Sequence, residues 1–70
     1  MNKIYTALIK QDANCWIGWI EEIPGVNCQE PSRERLLESL RETLAEAIDF
    51  NRADALEAAG IGFEELSIAI

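Results

Sequence analysis

An α+β fold, with one main amphipathic helix on one face of a small sheet, is what this sequence predicts, and three observations carry it. Residues 3–10 and 15–22 are two apolar, β-forming stretches joined by the polar turn Gln11-Asp12-Ala13-Asn14. A Pro24-Gly25 corner closes the second stretch. Ser32 then opens a one-sided stripe of leucines. The expected element order is β-β-β-α-β, and the 70 residues form a single domain, residues 1–70.

Each element has its own local reason. In the first strand Ile4, Thr6 and Leu8 point one way and Tyr5, Ala7 and Ile9 the other. In the second, Trp16, Gly18 and Ile20 share a face opposite Ile17 and Trp19. Neither face of the hairpin is clearly polar, so a sheet built from it needs cover on both sides, and the chain has helix enough for one. Pro24 cannot donate to a ladder and Gly25 supplies a turn, after which residues 26–29 can pair as a short third strand. Pro31 breaks that pairing and Ser32 is a good N-cap.

From there Leu36, Leu37, Leu40, Leu44, Ala47 and Ile48 fall on a helical stripe of roughly 120°. Beyond Ile48 the phase slips: a straight continuation puts Asn51 in the apolar stripe and Leu56 near the middle of the wet face. The pattern predicts a break near Asn51 and a short second helix, about residues 52–59, stopped by Gly60, with one continuous helix as the alternative. Residues 65–70 alternate again, with Leu66, Ile68 and Ile70 on the buried side, and the last strand is expected to enter beside the first, parallel to it if the crossover is right-handed.

Six basic against thirteen acidic residues leave a net charge of −7, a poor start for binding phosphates, so no direct nucleic-acid binding is expected. No apolar run approaches the roughly 18 residues of a membrane span, and no secretory signal precedes the first strand. Two cysteines, Cys15 and Cys28, are too few for a disulfide scaffold or a zinc site and read as small apolar side chains of a reducing compartment. A cytoplasmic protein without membrane contact is the expectation.

The hairpin of residues 4–9 and 16–22, the corner Glu22-Ile23-Pro24-Gly25-Val26-Asn27-Cys28, the Ser32-led helix through Ile48 and the closing Glu64-Glu65-Leu66-Ser67-Ile68 resemble the N-terminal module of the HicB family of bacterial antitoxins. The resemblance covers nearly the whole chain. It implies a truncated ribonuclease-H-like fold, a mixed four-stranded sheet in the order 3-2-1-4 with the helix on one face. It also implies self-association as a dimer, tetramer or other oligomer, and a partner: a small, basic, messenger-RNA-cleaving toxin of the HicA type. Two departures stand out. Glu30-Pro31-Ser32 replaces the Gly-containing polar turn usual before the helix, and the sequence to Ile70 contains none of the helix-turn-helix or ribbon-helix-helix segment of full-length members. DNA binding and self-repression are therefore not carried over.

Catalysis finds no support. Two-metal nuclease chemistry needs converging carboxylates, and ribonuclease-H-like enzymes place one in the first strand, where residues 3–10 have none. The chain has no histidine, Glu21 and Glu22 point to opposite faces of their strand, and Cys15 has no identifiable base. A non-enzymatic protein with no cofactor and no metal is expected.

Two groups of residues are candidates for touching a partner. Glu34, Glu38, Glu42 and Glu46 follow at i+4 with Asp49 beside them, opposite the leucines. Arg35, Arg41 and Arg52 flank this ridge, which is either a solvated helix face or a docking surface for a basic toxin. The helix-free sheet face is the second candidate: Trp19 with Tyr5 and Ile17 is the favoured outward set, and Ile4, Leu8 and Ile20 form the alternative. A homo-oligomeric adaptor with no toxin is the competing function.

Overall fold

In the computed structural model residues 4–69 are described, and Lys3 and Ile70, outer ends of two expected strands, lie outside that range. The chain runs β1 (Ala7–Asp12), β2 (Cys15–Ile20), β3 (Asn27–Glu30) and α1 (Arg33–Ala59). All pairing is antiparallel, in the order β1-β2-β3, with Ala7 opposite Ile20, Ile9 opposite Gly18 and Gly18 opposite Cys28.

The hairpin is tighter than its polar residues suggest. Gln11 and Asp12 belong to β1, and Ala13-Asn14 alone make the turn. Ala13 takes the positive φ of 56°, a conformation costing an L-residue about 1–2 kcal/mol. At the other end of the hairpin the Glu21 N–H donates to the Thr6 carbonyl at 2.9 Å, and the Thr6 N–H donates to Glu22 Oε1 at 2.8 Å. Pro24-Gly25 turns the chain with Gly25 at φ 88°, and the Ile20 N–H reaches the Val26 carbonyl at 3.1 Å, starting the β2–β3 ladder.

α1 begins as its sequence predicts. The Ser32 hydroxyl accepts from the Arg35 N–H at 3.2 Å, its carbonyl accepts from the Leu36 N–H, and Glu34 lies in the first turn, where the positive end of the helix dipole favours it. The buried hydrophobic side chains among the described residues are Ile20, Val26, Leu36 and Leu40, with Tyr5, Ile9, Trp16, Ile23, Cys28, Leu44 and Ala47 packed around them. Gly18 lets the helix settle this close. A Cβ there would lie 2.9 Å from Ile9 Cγ2, 3.0 Å from Leu40 Cδ1 and 3.1 Å from Leu36 Cδ2.

Two expectations are corrected. The predicted break at Asn51 does not occur: α1 is one helix of 27 residues, stopped at Gly60, whose N–H caps the Leu56 carbonyl at 3.2 Å. Periodicity misled because α1, about 40 Å long, has left the sheet by then. Residues 49–59 are all exposed, so no packing surface holds them to the stripe. Four alanines with Arg52, Leu56 and Glu57 favour helix wherever they point.

The mixed four-stranded sheet of order 3-2-1-4 is likewise not formed: among the described residues the fold is β-β-β-α with three antiparallel strands. The unbroken helix carries the following segment away from its own sheet. Residues 61–69 instead turn back along the end of α1, held by an Arg52 Nη1–Glu65 Oε1 ion pair of 2.9 Å. Both partners are exposed, so the pair contributes under about 1 kcal/mol.

The result is an elongated chain, 51 × 24 × 16 Å, with a radius of gyration of 15.2 Å against about 11 Å for a compact chain of this length. It exposes 6048 Å², where a compact monomer of this size exposes about 4,400 Å².

Two outcomes follow from this packing. Gly18→Val forces branched carbon into three neighbours at once and should lower stability by about 1–3 kcal/mol, read as a drop in denaturant midpoint at unchanged slope. The Thr6 N–H holds the Glu22 carboxyl below its ordinary pKa. A depressed carboxyl stabilises the fold fully above its unfolded pKa, about 4.3, and that contribution is lost as pH falls through the lower folded value. Glu22→Gln should therefore melt below the wild type at neutral pH, with the difference vanishing in acid.

Candidate interaction surface

The outer face of the sheet is set by register. Leu8 pairs directly with Trp19, Lys10 with Ile17 and Asp12 with Cys15, while Asn27 and Gln29 of β3 stand opposite Trp19 and Ile17. Trp19 and Leu8, 38% and 41% exposed, make an apolar patch that Ile17 extends. Polar groups frame it: Lys10, Asn27 and Gln29, whose side-chain amide contacts Cys15 Sγ at 3.1 Å.

Tyr5 is not part of this face. It packs with Ile9 and Trp16 against the core under α1, so the outward set is Leu8, Ile17 and Trp19. The alternative set divides too: Ile20 is buried beneath the helix, Leu8 is outward, and Ile4 lies exposed ahead of β1. The reason is arithmetic. A hairpin closed by a two-residue turn pairs residues of opposite parity, so odd-numbered Trp19 and Ile17 share a face with even-numbered Leu8 and Lys10. That signal was present in the sequence once the turn length was known.

Along α1, Glu34, Glu38, Glu42, Glu46 and Asp49 are all exposed, opposite the buried leucines. They do not form one uniform strip. Glu38 and Glu42 edge a polar cleft with Glu30, Arg35 and Ser39, where the Ser39 hydroxyl donates to Glu30 Oε2 at 2.6 Å. Glu46 instead stands on the rim of an apolar groove of about 350 Å³ between the Pro24-Gly25 corner and the helix, lined also by Ile23, Ala47 and Phe50. Phe50, 72% exposed, was missed by sequence reasoning. It sits off the leucine stripe, where a lone aromatic is the signal that would have found it.

The remaining chemistry is sparse. Cys15 lies on the outer face and Cys28 on the helix side, 3.5 Å from Thr43 Oγ1, and both are free thiols. Among the described residues no three carboxylates or thiols converge as metal ligands, and no helix is long and apolar enough to cross a membrane. What the arrangement offers is two apolar surfaces, the outer sheet face and the groove at Phe50, the second with the Glu46 carboxylate on its rim. Compared with family models, with curated proteins and with solved structures, the chain matches none.

Proposed function

We propose that this chain is a non-enzymatic, antitoxin-like protein-binding module of the cytoplasm that neutralises a small, basic, RNA-cleaving toxin of the HicA type. One observation supports this reading above the others: a helix face of five exposed carboxylates adjoining the apolar groove that holds Phe50. A basic RNA-binding surface meets opposite charge along Glu34, Glu38, Glu42 and Asp49, while the groove beside Glu46 supplies the desolvated contact that gives a complex its lifetime. Inhibition is then steric and electrostatic, since the toxin surface that would grip RNA is the one covered. The carboxylates mainly speed encounter and select the partner, and the apolar contact slows release.

A homo-oligomeric adaptor with no toxin is the second reading, favoured by the Leu8–Ile17–Trp19 patch, which invites self-association without a second protein.

Co-purification with a HicA-type toxin and an RNA-cleavage assay separate the two. The wild-type chain in molar excess should abolish cleavage. The triple variant Glu38→Lys/Glu42→Lys/Glu46→Lys should slow association at low salt by about tenfold or more, with a much smaller effect at high salt. A toxin that stays fully active beside excess wild-type chain sinks the antitoxin reading and leaves the adaptor.

A further inference from the structure

Among the described residues β1 is an edge strand, and a groove runs beside it. Thr6 directs its carbonyl and N–H toward the β2 side, and the alternation of an antiparallel ladder then aims the N–H and C=O groups of Ala7, Ile9 and Gln11 away from the sheet. α1 packs on β2 and β3 and scarcely reaches β1. This overhang leaves an apolar groove of about 310 Å³ between β1 and the helix, lined by Tyr5, Ala7, Ile20, Leu37, Leu40 and Leu44, with Arg41 at its side.

The same chain carries a segment shaped for that place and unable to use it at home. Leu66 and Ile68 are 79% and 88% exposed, and once residues 64–69 are extended they fall on one side with Glu65 and Ser67 on the other. The unbroken α1 holds this segment beside its own last turns, away from the sheet.

We propose that two copies exchange these segments, residues 64–69 of each adding a strand to the free edge of β1 in the other. Leu66 and Ile68 enter the groove, and Glu65 comes to the outer face that carries Lys10, a match of opposite charge. The edge gains partners for its backbone groups, which is the usual fate of an unprotected, strand-ready edge. Each chain exposes roughly 1,600 Å² more than a compact monomer of its size, and Leu66 and Ile68 are among the large apolar side chains that make up this excess. The exchange does not depend on any toxin and leaves the Trp19 face uncovered.

Light scattering at micromolar concentration tests it. The wild type should be a dimer. Leu66→Asp/Ile68→Asp alters only the exchanged segment, outside the core, and should weaken the dimer by about a hundredfold or more with helical circular dichroism retained. Ala7→Pro removes an N–H that points to the free edge and no bond within the hairpin, and should do the same. Mixing these two variants should restore a heterodimer, because one intact segment then meets one intact edge. Trp19→Lys should stay dimeric. A monomeric wild type, or a dimer that survives both the segment and the edge variants, overturns the proposal. So does a dimer abolished by Trp19→Lys alone.

Discussion

The contact of Leu36 and Leu40 with the bare backbone of Gly18 governs most of what this chain does with its surface. It draws the helix onto β2 and β3, and the rest of α1 follows as a straight rod. A single rod on a three-stranded sheet shelters one face and not all of that face. Among the described residues four hydrophobic side chains are buried, a small core for a chain of 70 residues. Apolar groups that would sit inside a larger domain are left outside: Leu8 and Trp19 on the sheet, Phe50 on the helix, Leu66 and Ile68 beyond it.

How much of this could be read beforehand varies along the chain in a way that physics explains. The presence of the hairpin, the Pro-Gly corner, the third strand and the Ser32 cap depends on residues near one another and was legible. The turn, however, proved to be Ala13-Asn14 alone, and the strands run Ala7–Asp12, Cys15–Ile20 and Asn27–Glu30. The two errors of architecture share a cause. A hydrophobic period follows the sheet only while the helix lies on it, and after Ile48 α1 runs past the sheet, with residues 63–65 folded back beside it. The slip at Asn51 therefore signalled the end of the sheet, not the end of the helix. Once α1 continues, Leu66 and Ile68 cannot take the place beside β1 that their alternation suggests. Tyr5 shows a smaller failure of the same kind. Its face depends on register, and register depends on a turn in which Ala13, against preference, adopts the left-handed conformation.

The candidate site was half legible. The five carboxylates on α1 followed from spacing alone, and each is exposed. Their division between a polar cleft at Glu30–Ser39 and an apolar groove at Phe50 did not follow, because both borders come from the sheet side of the molecule. Charge in this protein is thus less a uniform field than a frame around particular contacts. It selects which surfaces approach, while short-range apolar fit decides which remain.

One helix here lives under two regimes. From Arg33 to about Ile48 every fourth position is confined by the sheet, and a change of one methyl group is felt by its neighbours. From residue 51 to 59 every side chain is exposed and none is confined by the sheet, so helix-forming tendency and wettability matter most. Sequence drift in this protein should therefore be graded along one rod: conservative in volume near the cap, permissive in identity toward Gly60.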